Sequence, residues 1–296
     1  MAPIALVGAG RMGLPIVRSL LRAGHPVRVL DRRPEVEHAV REAGAVPAAD
    51  ADALLTGARV LFTVLPGSPE LREVMSGLLG RVERGTTWID LTSTAPDVGA
   101  ELAAAARARE VAALDAPLGG GPATAEAASL TLYVGGDAAL LEEHRPLLAA
   151  FADSARIHHC GASGTGYLTK LLVNLLWFGQ AAAVTEALLL GQRAGLTPDV
   201  LRRLLADGPA ASAFLADHVP ALLAGDYLPS FGLDRIVEEL DAIASSAAAQ
   251  GSPFVVSGAV TALYRDALAH YGSVDGELLG AAYLEHLAGH RLSGGD

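Results

Sequence analysis

The sequence predicts an α/β domain with a mostly parallel sheet, followed by an all-helical domain. Short β-branched runs alternate with Ala-, Leu-, Arg- and Glu-rich stretches up to about Gly161. Strands that alternate with helices form parallel sheets covered by helices on both faces. Beyond Gly161 the strand-like runs disappear and long helical segments follow. The boundaries that we expect are therefore residues 1–162 and 163–296.

The predicted elements follow in chain order. Six runs have the composition of strands: "IALVG" (4–8), "VRVLD" (27–31), "VLFTVL" (60–65), "TTWIDL" (86–91), "VAALDAPL" (111–118) and "LTLYVGG" (130–136). Turn-forming residues then predict breaks between the later helices at "LTPD" (196–199), "GDYLPS" (225–230), "GSP" (251–253) and "YGS" (271–273).

The composition narrows the class of protein. The chain has 296 residues, 51% of them hydrophobic, and can bury a substantial core. Its formal charge of −11 argues against nucleic acid and against an anionic membrane surface. The single cysteine, Cys160, fits a reducing cytoplasm. No charged leader precedes an apolar run, and the apolar stretch 168–178 is too short to span a bilayer. We expect a cytoplasmic protein that binds neither nucleic acid nor a membrane.

A dinucleotide site is predicted at the end of the first strand. "IALVGAGRMG" places Gly8, Gly10 and Gly13, with Arg11 and Met12 between them, at a strand-to-helix turn. Such glycines allow a tight turn and close approach of the backbone to a pyrophosphate, which the helix N-terminus then faces. The first domain is therefore Rossmann-like.

The residues after the second strand bear on the choice between NAD and NADP. Asp31 lies 18 residues after Gly13, close to the spacing of about 20 for an acidic residue that binds the ribose hydroxyls of NAD. Arg32 and Arg33 follow directly after Asp31 and favour NADP instead, because they can bind its 2′-phosphate. Alternatively the arginines are solvated or stack on adenine. Asp31 favours NAD slightly.

Several motifs in the same order resemble the β-hydroxyacid dehydrogenase family, which includes 3-hydroxyisobutyrate dehydrogenases, and its relatives the imine reductases. They are "GAGRMGLPIVRSLLRAGHPVRVLDR", "LPG" (65–67), "DLTSTAP" (90–96), "LDAPLGGGPATAEAASLTLYVGG" (114–136) and "GASGTGYLTKLLVN" (161–174). The resemblance implies a long inter-domain helix, a helical domain used for dimerisation and an active site in the cleft between the domains. It also implies that Leu65, Pro66 and Ser93 contact the cofactor.

Lys170 and Asn174 are the predicted catalytic residues. They are four apart, so they share one face of a helix. Hydride delivery to a carbonyl leaves an oxygen that needs a proton, which a lysine ammonium can give. A lysine that snorkels to solvent is the alternative. The resemblance assigns the general acid/base role to Lys170, and imine reductases usually carry another residue there.

The chain departs from the family pattern at two places. A Ser-Gly-Gly substrate loop has become Gly119-Gly120-Gly121, whose backbone N–H groups can still bind an anion. A Lys-Asp-Leu segment has become Glu238-Glu239-Leu240, which replaces a lysine by Glu238. We hypothesise that Glu238 binds a cationic or amine-bearing substrate. The alternatives are an internal pair with Lys170 or Arg235, or a solvated position with the register off by one.

The remaining marked residues carry weaker expectations. His158, His159 and Cys160 lack further ligands at suitable spacing, so we predict no metal site. Trp177 belongs to the core or a dimer interface, or lines the substrate pocket. The run 171–191 is apolar on most faces, which predicts a homodimer or higher homo-oligomer.

Together these features predict an NAD(P)-dependent oxidoreductase that interconverts a β-hydroxyacid-like alcohol and a carbonyl. An imine or iminium reductase acting on an amine-bearing small molecule is the alternative enzyme. A non-catalytic dinucleotide-sensing protein is the alternative from another class, although such a protein has no need of Lys170.

Overall fold

The computed structural model describes residues 2–292. Internal contacts divide the chain into two compact units, Met1–Lys170 and Leu171–Asp296. One helix, α8 (Thr165–Arg193), has its first residues in the first unit and the rest in the second.

The first unit is built on a nine-stranded sheet. Its strands are β1 (Ile4–Val7), β2 (Val27–Leu30), β3 (Val46–Pro47), β4 (Val60–Thr63), β5 (Thr87–Asp90), β6 (Ala112–Asp115), β7 (Leu118–Gly119), β8 (Leu130–Gly135) and β9 (Ala152–Gly161). The order is β3-β2-β1-β4-β5-β6-β8-β7, with β9 paired to β8. The first six strands are parallel, and β8 runs antiparallel to β6 and β7. The strand order reverses between β1 and β4, which is where open α/β sheets bind ligands.

Seven helices cover the two faces of this sheet. They are α1 (Gly13–Arg22), α2 (Val36–Glu42), α3 (Ala51–Leu55), α4 (Ser68–Leu78), α5 (Pro96–Arg107), α6 (Pro122–Glu126) and α7 (Ala138–Leu148). Asp50 and Asp137 cap α3 and α7 through their side chains, and proline occupies the first turn of α4, α5 and α6. The alternating side chains of a strand enter different cores, since Phe62 joins one apolar cluster and Leu61 the other.

The six predicted strands are confirmed, with one change. The run 111–118 forms two strands, β6 and β7, that are separated by Ala116 and Pro117. Proline has no N–H to donate to a ladder, so it interrupts the pairing at this point. The sequence did not predict β3, which is only two residues long, or β9, whose residues are largely polar and exposed.

The second unit is entirely helical over the residues that the structure describes. After α8 come α9 (Pro198–Ala206), α10 (Ala213–Asp217), α11 (Val219–Leu223), α12 (Leu233–Ala249), α13 (Val255–Tyr271) and α14 (Leu279–Ala288). All four predicted breaks are confirmed, because each falls between two of these helices or at a helix end. The unit has two apolar clusters, one centred on Tyr264 and Leu240 and the other on Phe214 and Leu222.

Helix α8 has the length and apolar composition of a membrane-crossing helix. Core helices of soluble proteins meet the same test, and a single such helix is weak evidence for a membrane span. About a third of its most apolar window is buried within the structure.

Candidate active site

The glycine loop between β1 and α1 can hold no side chains at its key positions. Gly8 has φ +95°, and a Cβ there would lie 2.2 Å from the carbonyl oxygen of Val64. A Cβ on Gly13 would lie 1.9 Å from the carbonyl oxygen of Gly8. These approaches bring the start of α1 against the end of β1. The loop is thus shaped to bring backbone N–H groups to a pyrophosphate at the helix N-terminus.

Asp31, directly after β2, fixes this loop from the side. Its Oδ2 accepts a hydrogen bond from the Ala9 backbone N–H at 2.8 Å, and its carboxylate pairs with the guanidinium of Arg33. Burial acts to raise the pKa of Asp31, but the hydrogen bonds from Arg33 and Ala9 outweigh it, so the pKa lies below its ordinary value. Arg32 is exposed and donates nothing to Asp31. Asp31 is therefore a charged, fixed acceptor.

An open depression of about 370 Å³ adjoins this loop. Its lining includes Gly10 and Arg11 of the loop, Leu14 of α1, Arg33, and Val36 of α2. The lining also includes the carboxylates of Glu35 and Glu126, while its apolar walls beside arginines suit a flat heteroaromatic ring next to phosphate groups. The residues present thus fit the adenosine end of NAD or NADP.

Two further loops, after β4 and β5, are tied together beside the glycine loop. The backbone N–H of Leu65 donates to Thr92 Oγ1 at 3.2 Å. Thr94 donates from its hydroxyl to Ser68 Oγ at 2.7 Å. Thr92 and Thr94 are buried, whereas Ser93 between them is partly exposed, as is Leu65. Ser93 is therefore the most exposed of the three hydroxyl residues in this stretch.

Pro66 and Met12 complete the predicted cofactor set. Pro66 is exposed next to Leu65, and Met12 is partly buried at the start of α1. A Leu65 methyl group lies 3.3 Å from the position that a Cβ on Gly8 would take, so the loop after β4 contacts the glycine loop.

A buried polar network lies under the loop after β5. Asp90 Oδ1 accepts from the Thr63 hydroxyl at 2.6 Å, and its Oδ2 accepts from the Tyr167 hydroxyl at 2.7 Å. Trp88 Nε1 donates to Thr63 Oγ1 at 2.9 Å. Burial raises the pKa of Asp90 to about 6, although hydrogen bonds from Thr63, Thr92 and Tyr167 act to lower it. This network attaches the first turn of α8 to the sheet.

A second buried carboxylate holds the same helix at its first residues. Asp115, at the end of β6, accepts from the backbone N–H groups of Gly164 and Gly166 at 2.8 Å each, and of Tyr167 at 3.3 Å. A Cβ on Gly166 would lie 2.3 Å from the carbonyl oxygen of Tyr133, which explains the glycine. Burial raises the pKa of Asp115, against the hydrogen bonds that lower it. Three otherwise unpaired N–H groups of the helix start are satisfied in this way.

Lys170 follows one turn later on α8 and is partly buried. Asp90 and Asp115 fix the turn that precedes it, so its backbone position is set by the ends of two neighbouring strands. The sequence analysis predicted Lys170 but assigned no role to Asp90.

Asn174 lies one helical turn beyond Lys170, in the second unit. Its Nδ2 donates to Glu239 Oε2 at 2.7 Å, and Glu239 on α12 is only 8% exposed. Glu238 is more exposed, and its Oε2 accepts from Arg235 Nη1 at 2.9 Å. This is one of the alternatives predicted for Glu238.

Sequence reasoning named Glu238 and missed Glu239. Helical spacing would have predicted that Glu239 is buried. Position 239 lies three residues after buried Ile236 and four before buried Ile243, so it is on the same face of the helix. The buried face of α12 therefore includes Glu239.

Trp177 packs inside the helical unit. Its ring centroid lies 5.2–5.3 Å from those of Phe178, Phe214 and His218. It bridges the two apolar clusters of this unit, as a core residue does.

The glycine segment 119–121 begins at the last residue of β7 and leads into α6. A Cβ on Gly119 would lie 3.1 Å from Tyr133 Cε2 and 3.3 Å from the Tyr133 hydroxyl oxygen. Gly120 has φ +111°, and Gly121 caps α6 in an extended conformation. A serine side chain at position 119 would therefore require Tyr133 and Thr131 to move by a few tenths of an ångström.

The His158–Cys160 segment lies on β9. The His158 ring stacks at 6.3 Å on that of Tyr133, and His159 Nε2 lies 2.9 Å from the carbonyl oxygen of Gly136. Within residues 2–292, no group of three or more His, Cys, Asp or Glu side chains is placed to hold a metal ion.

The fold and the glycine loop define a two-part, dinucleotide-dependent dehydrogenase, and comparison with known proteins gives its family. Residues 3–161 match the NAD-binding domain of 6-phosphogluconate dehydrogenase, and residues 164–279 match the NAD-binding domain of NADP-dependent 3-hydroxyisobutyrate dehydrogenase. The NAD-dependent L-serine dehydrogenase of Pseudomonas aeruginosa is 32% identical over 275 residues, covering 90% of this chain and 92% of the relative. The chain belongs to the β-hydroxyacid dehydrogenase family and is an NAD(P)-dependent dehydrogenase.

Solved structures agree with this assignment. The 3-hydroxyisobutyrate dehydrogenase of Mycobacterium tuberculosis, solved with L-serine, superposes with a TM-score of 0.87 at 27% identity, covering 96% of this chain and 99% of its own. An imine reductase from Pseudomonas sp. shares the fold, with a TM-score of 0.59 at 19% identity and coverages of 98% and 99%. The relatives are named as dehydrogenases of small molecules, and this chain acts on a small-molecule substrate.

Proposed function

We propose that this dehydrogenase interconverts a short β-hydroxy acid and its carbonyl form, with Lys170 as general acid/base. The observation that carries the proposal is the anchored start of α8: Asp115 and Tyr167 fix the turn that leads into Lys170. A lysine on so constrained a helix can be held at one reacting oxygen, as general acid/base catalysis requires.

The bound cofactor supplies or accepts a hydride at the substrate carbon. During reduction the Lys170 ammonium donates a proton to the developing alkoxide oxygen, and during oxidation the neutral amine removes the hydroxyl proton. Asn174, one turn away, orients the substrate or the lysine. We assign carboxylate binding to the backbone N–H groups of Gly119, Gly120 and Gly121, because consecutive N–H groups in such loops form anion-binding concavities.

An amine-bearing β-hydroxy acid is the second candidate substrate. 3-Hydroxyisobutyrate and L-serine, which occur in the names of two relatives, differ at the central carbon, where the first has a methyl group and the second an ammonium. The carboxylates of Glu238 and Glu239 favour the ammonium, on charge alone. Glu239 is the more buried of the two, so its carboxylate is less screened by solvent.

The first test is turnover with NADH and NADPH, followed by absorbance, on small semialdehyde acids and cyclic imines, with L-serine and 3-hydroxyisobutyrate in the oxidative direction. We expect turnover of hydroxy acids or semialdehydes, and a loss of about 10²- to 10⁴-fold in kcat for Lys170→Ala. Thr169→Ala, at the adjacent helix position, is the matched control for helix integrity.

Three results would contradict parts of this proposal. Turnover of imines alone would favour the reductase reading, and cofactor binding without turnover of any substrate would favour a sensor. If Glu239→Gln and Glu238→Lys left the preference for L-serine over 3-hydroxyisobutyrate unchanged, the ammonium-binding role would be abandoned.

We also propose that the protein is a cytoplasmic homodimer or higher homo-oligomer, with no role for a membrane or nucleic acid. Exposed apolar residues recur along one side of α8, with Leu172 43%, Leu176 66% and Leu190 71% exposed. Exposed apolar side chains along one side of a helix indicate a contact surface, and a second copy offers a self-complementary one. Light scattering on Leu176→Glu should show a smaller particle than the wild type, and equal masses would refute the assignment.

A further inference from the structure

The carboxylate of Asp31 is saturated with hydrogen bonds. Its Oδ1 accepts from Arg33 twice, from the backbone N–H at 3.0 Å and from Nε at 2.9 Å. Its Oδ2 accepts from the Ala9 N–H and from Arg33 Nη2, both at 2.8 Å. A carboxylate offers about four lone-pair positions. All of them are filled, two by the guanidinium of Arg33.

The guanidinium of Arg33 also lies over the glycine loop. Its Nη2 is 3.6 Å from the position that a Cβ on Gly10 would take, and the residue lines the same depression as Gly10 and Arg11. In a dinucleotide fold, the acidic residue after the second strand accepts the ribose hydroxyls. The guanidinium of Arg33 therefore occupies two hydrogen-bond acceptor positions of the Asp31 carboxylate, and the ribose hydroxyls of NAD would need these same positions.

We propose that Arg33 competes with the adenosine ribose of NAD for Asp31, and so weakens NAD binding while it strengthens NADP binding. The inference rests on the cofactor site described above. NAD must displace the guanidinium from Asp31 before its ribose hydroxyls can bind there. For NADP, Arg33 neutralises the carboxylate that would repel the 2′-phosphate, and it supplies a planar donor for that phosphate.

This competition predicts opposite changes from a single substitution. Arg33→Ala should lower the Kd for NADH by about two- to fivefold, the range of a partly exposed ion pair. The same change should raise the Kd for NADPH by about tenfold or more, as expected for loss of a charged hydrogen bond to phosphate. Because both cofactors are anions, the simple loss of a positive charge would weaken both.

The measurement is fluorescence titration of the full chain with NADH and with NADPH, which needs no substrate turnover. Arg33→Gln, which keeps most of the side-chain length, should change both Kd values in the same directions as Arg33→Ala. Arg265→Ala removes an arginine of comparable exposure from its pair with Asp241 in the helical unit and should change neither Kd. Arg32→Ala should weaken NADPH binding without tightening NADH binding.

The outcomes separate this inference from the proposed function. If Arg33→Ala and Arg33→Gln weaken NADH binding, Arg33 serves the adenine or phosphates and the competition is refuted. Equal tightening of NADH by Arg32→Ala would also overturn it, because the effect would not depend on the pair with Asp31. If the wild-type chain bound neither NADH nor NADPH, the assignment of the cofactor site itself would be refuted, and with it the proposed function.

Discussion

Replacing Asp90 by asparagine should change how the stability of the first unit depends on pH. Asp90 is completely buried, and burial raises its pKa from 3.8 to about 6 despite the hydroxyl groups that donate to it. The folded protein thus binds this proton more tightly than the unfolded chain. The carboxyl group's contribution to the free energy of unfolding is most favourable below pH 3.8, falls as the pH rises to about 6, and is constant above.

The magnitude follows from the shift of roughly two pH units. At about 1.4 kcal/mol per unit, ionised Asp90 lowers the free energy of unfolding by about 3 kcal/mol at pH 7 relative to its protonated form. Asparagine has the shape of the protonated carboxyl group and does not titrate. The stability difference between Asp90→Asn and wild type should therefore shift in favour of the variant by about 2 kcal/mol between pH 4 and pH 7, because the carboxyl group of the unfolded chain is already half ionised at pH 4.

Urea unfolding monitored by tryptophan fluorescence can measure this difference. The chain has two tryptophans, so a Trp177→Phe background leaves only Trp88, whose Nε1 donates to Thr63 within the Asp90 network. Tyr167→Phe serves as a second variant. It removes a hydrogen bond that lowers the pKa of Asp90, so the titration should move to higher pH. Parallel pH profiles for Asp90→Asn and wild type would refute the reasoning.

Three further predictions concern the neighbouring elements. Gly13→Ala should abolish NADH binding in a titration, because the added methyl group meets a carbonyl oxygen at 1.9 Å; retained affinity would contradict the loop's assignment. Asp115→Ala should leave helix N–H groups unsatisfied, lower the unfolding free energy by about 1–3 kcal/mol in urea and lower kcat more than it raises KM. Gly119→Ser should destabilise the loop against Tyr133 and fail to improve kcat/KM for a hydroxy acid, whereas a gain would show that the loop has room for the serine.

The fold could be predicted because the first unit follows local rules. β1 and β4 are buried, β-branched runs, and helices with proline in their first turn follow β4 and β5. The sequence could not predict β9, because its pairing with β8 comes from tertiary contact and its residues are mostly polar and exposed. Composition detects a strand only where one face is buried.

The site could be predicted where a residue type is unusual in its local sequence. A lysine in an apolar run and glycines at a strand end are both conspicuous, so Lys170 and Gly8 were identified directly. Asp90 and Glu239 were not, because an acidic residue looks the same in sequence whether it is solvated or buried. Their roles depend on donors distant in the chain, such as Tyr167 for Asp90 and Asn174 for Glu239.

The contact between Asn174 and Glu239 also fixes the orientation of the asparagine side-chain amide. The Asn174 amide turns its Nδ2 toward Glu239 and donates to its Oε2 at 2.7 Å. Its carbonyl oxygen then points away as an acceptor. An acceptor is the group that orients an ammonium or a substrate hydroxyl, both of which donate. Glu239 supplies the carboxylate that holds this orientation, whereas the neighbouring Glu238 pairs with Arg235.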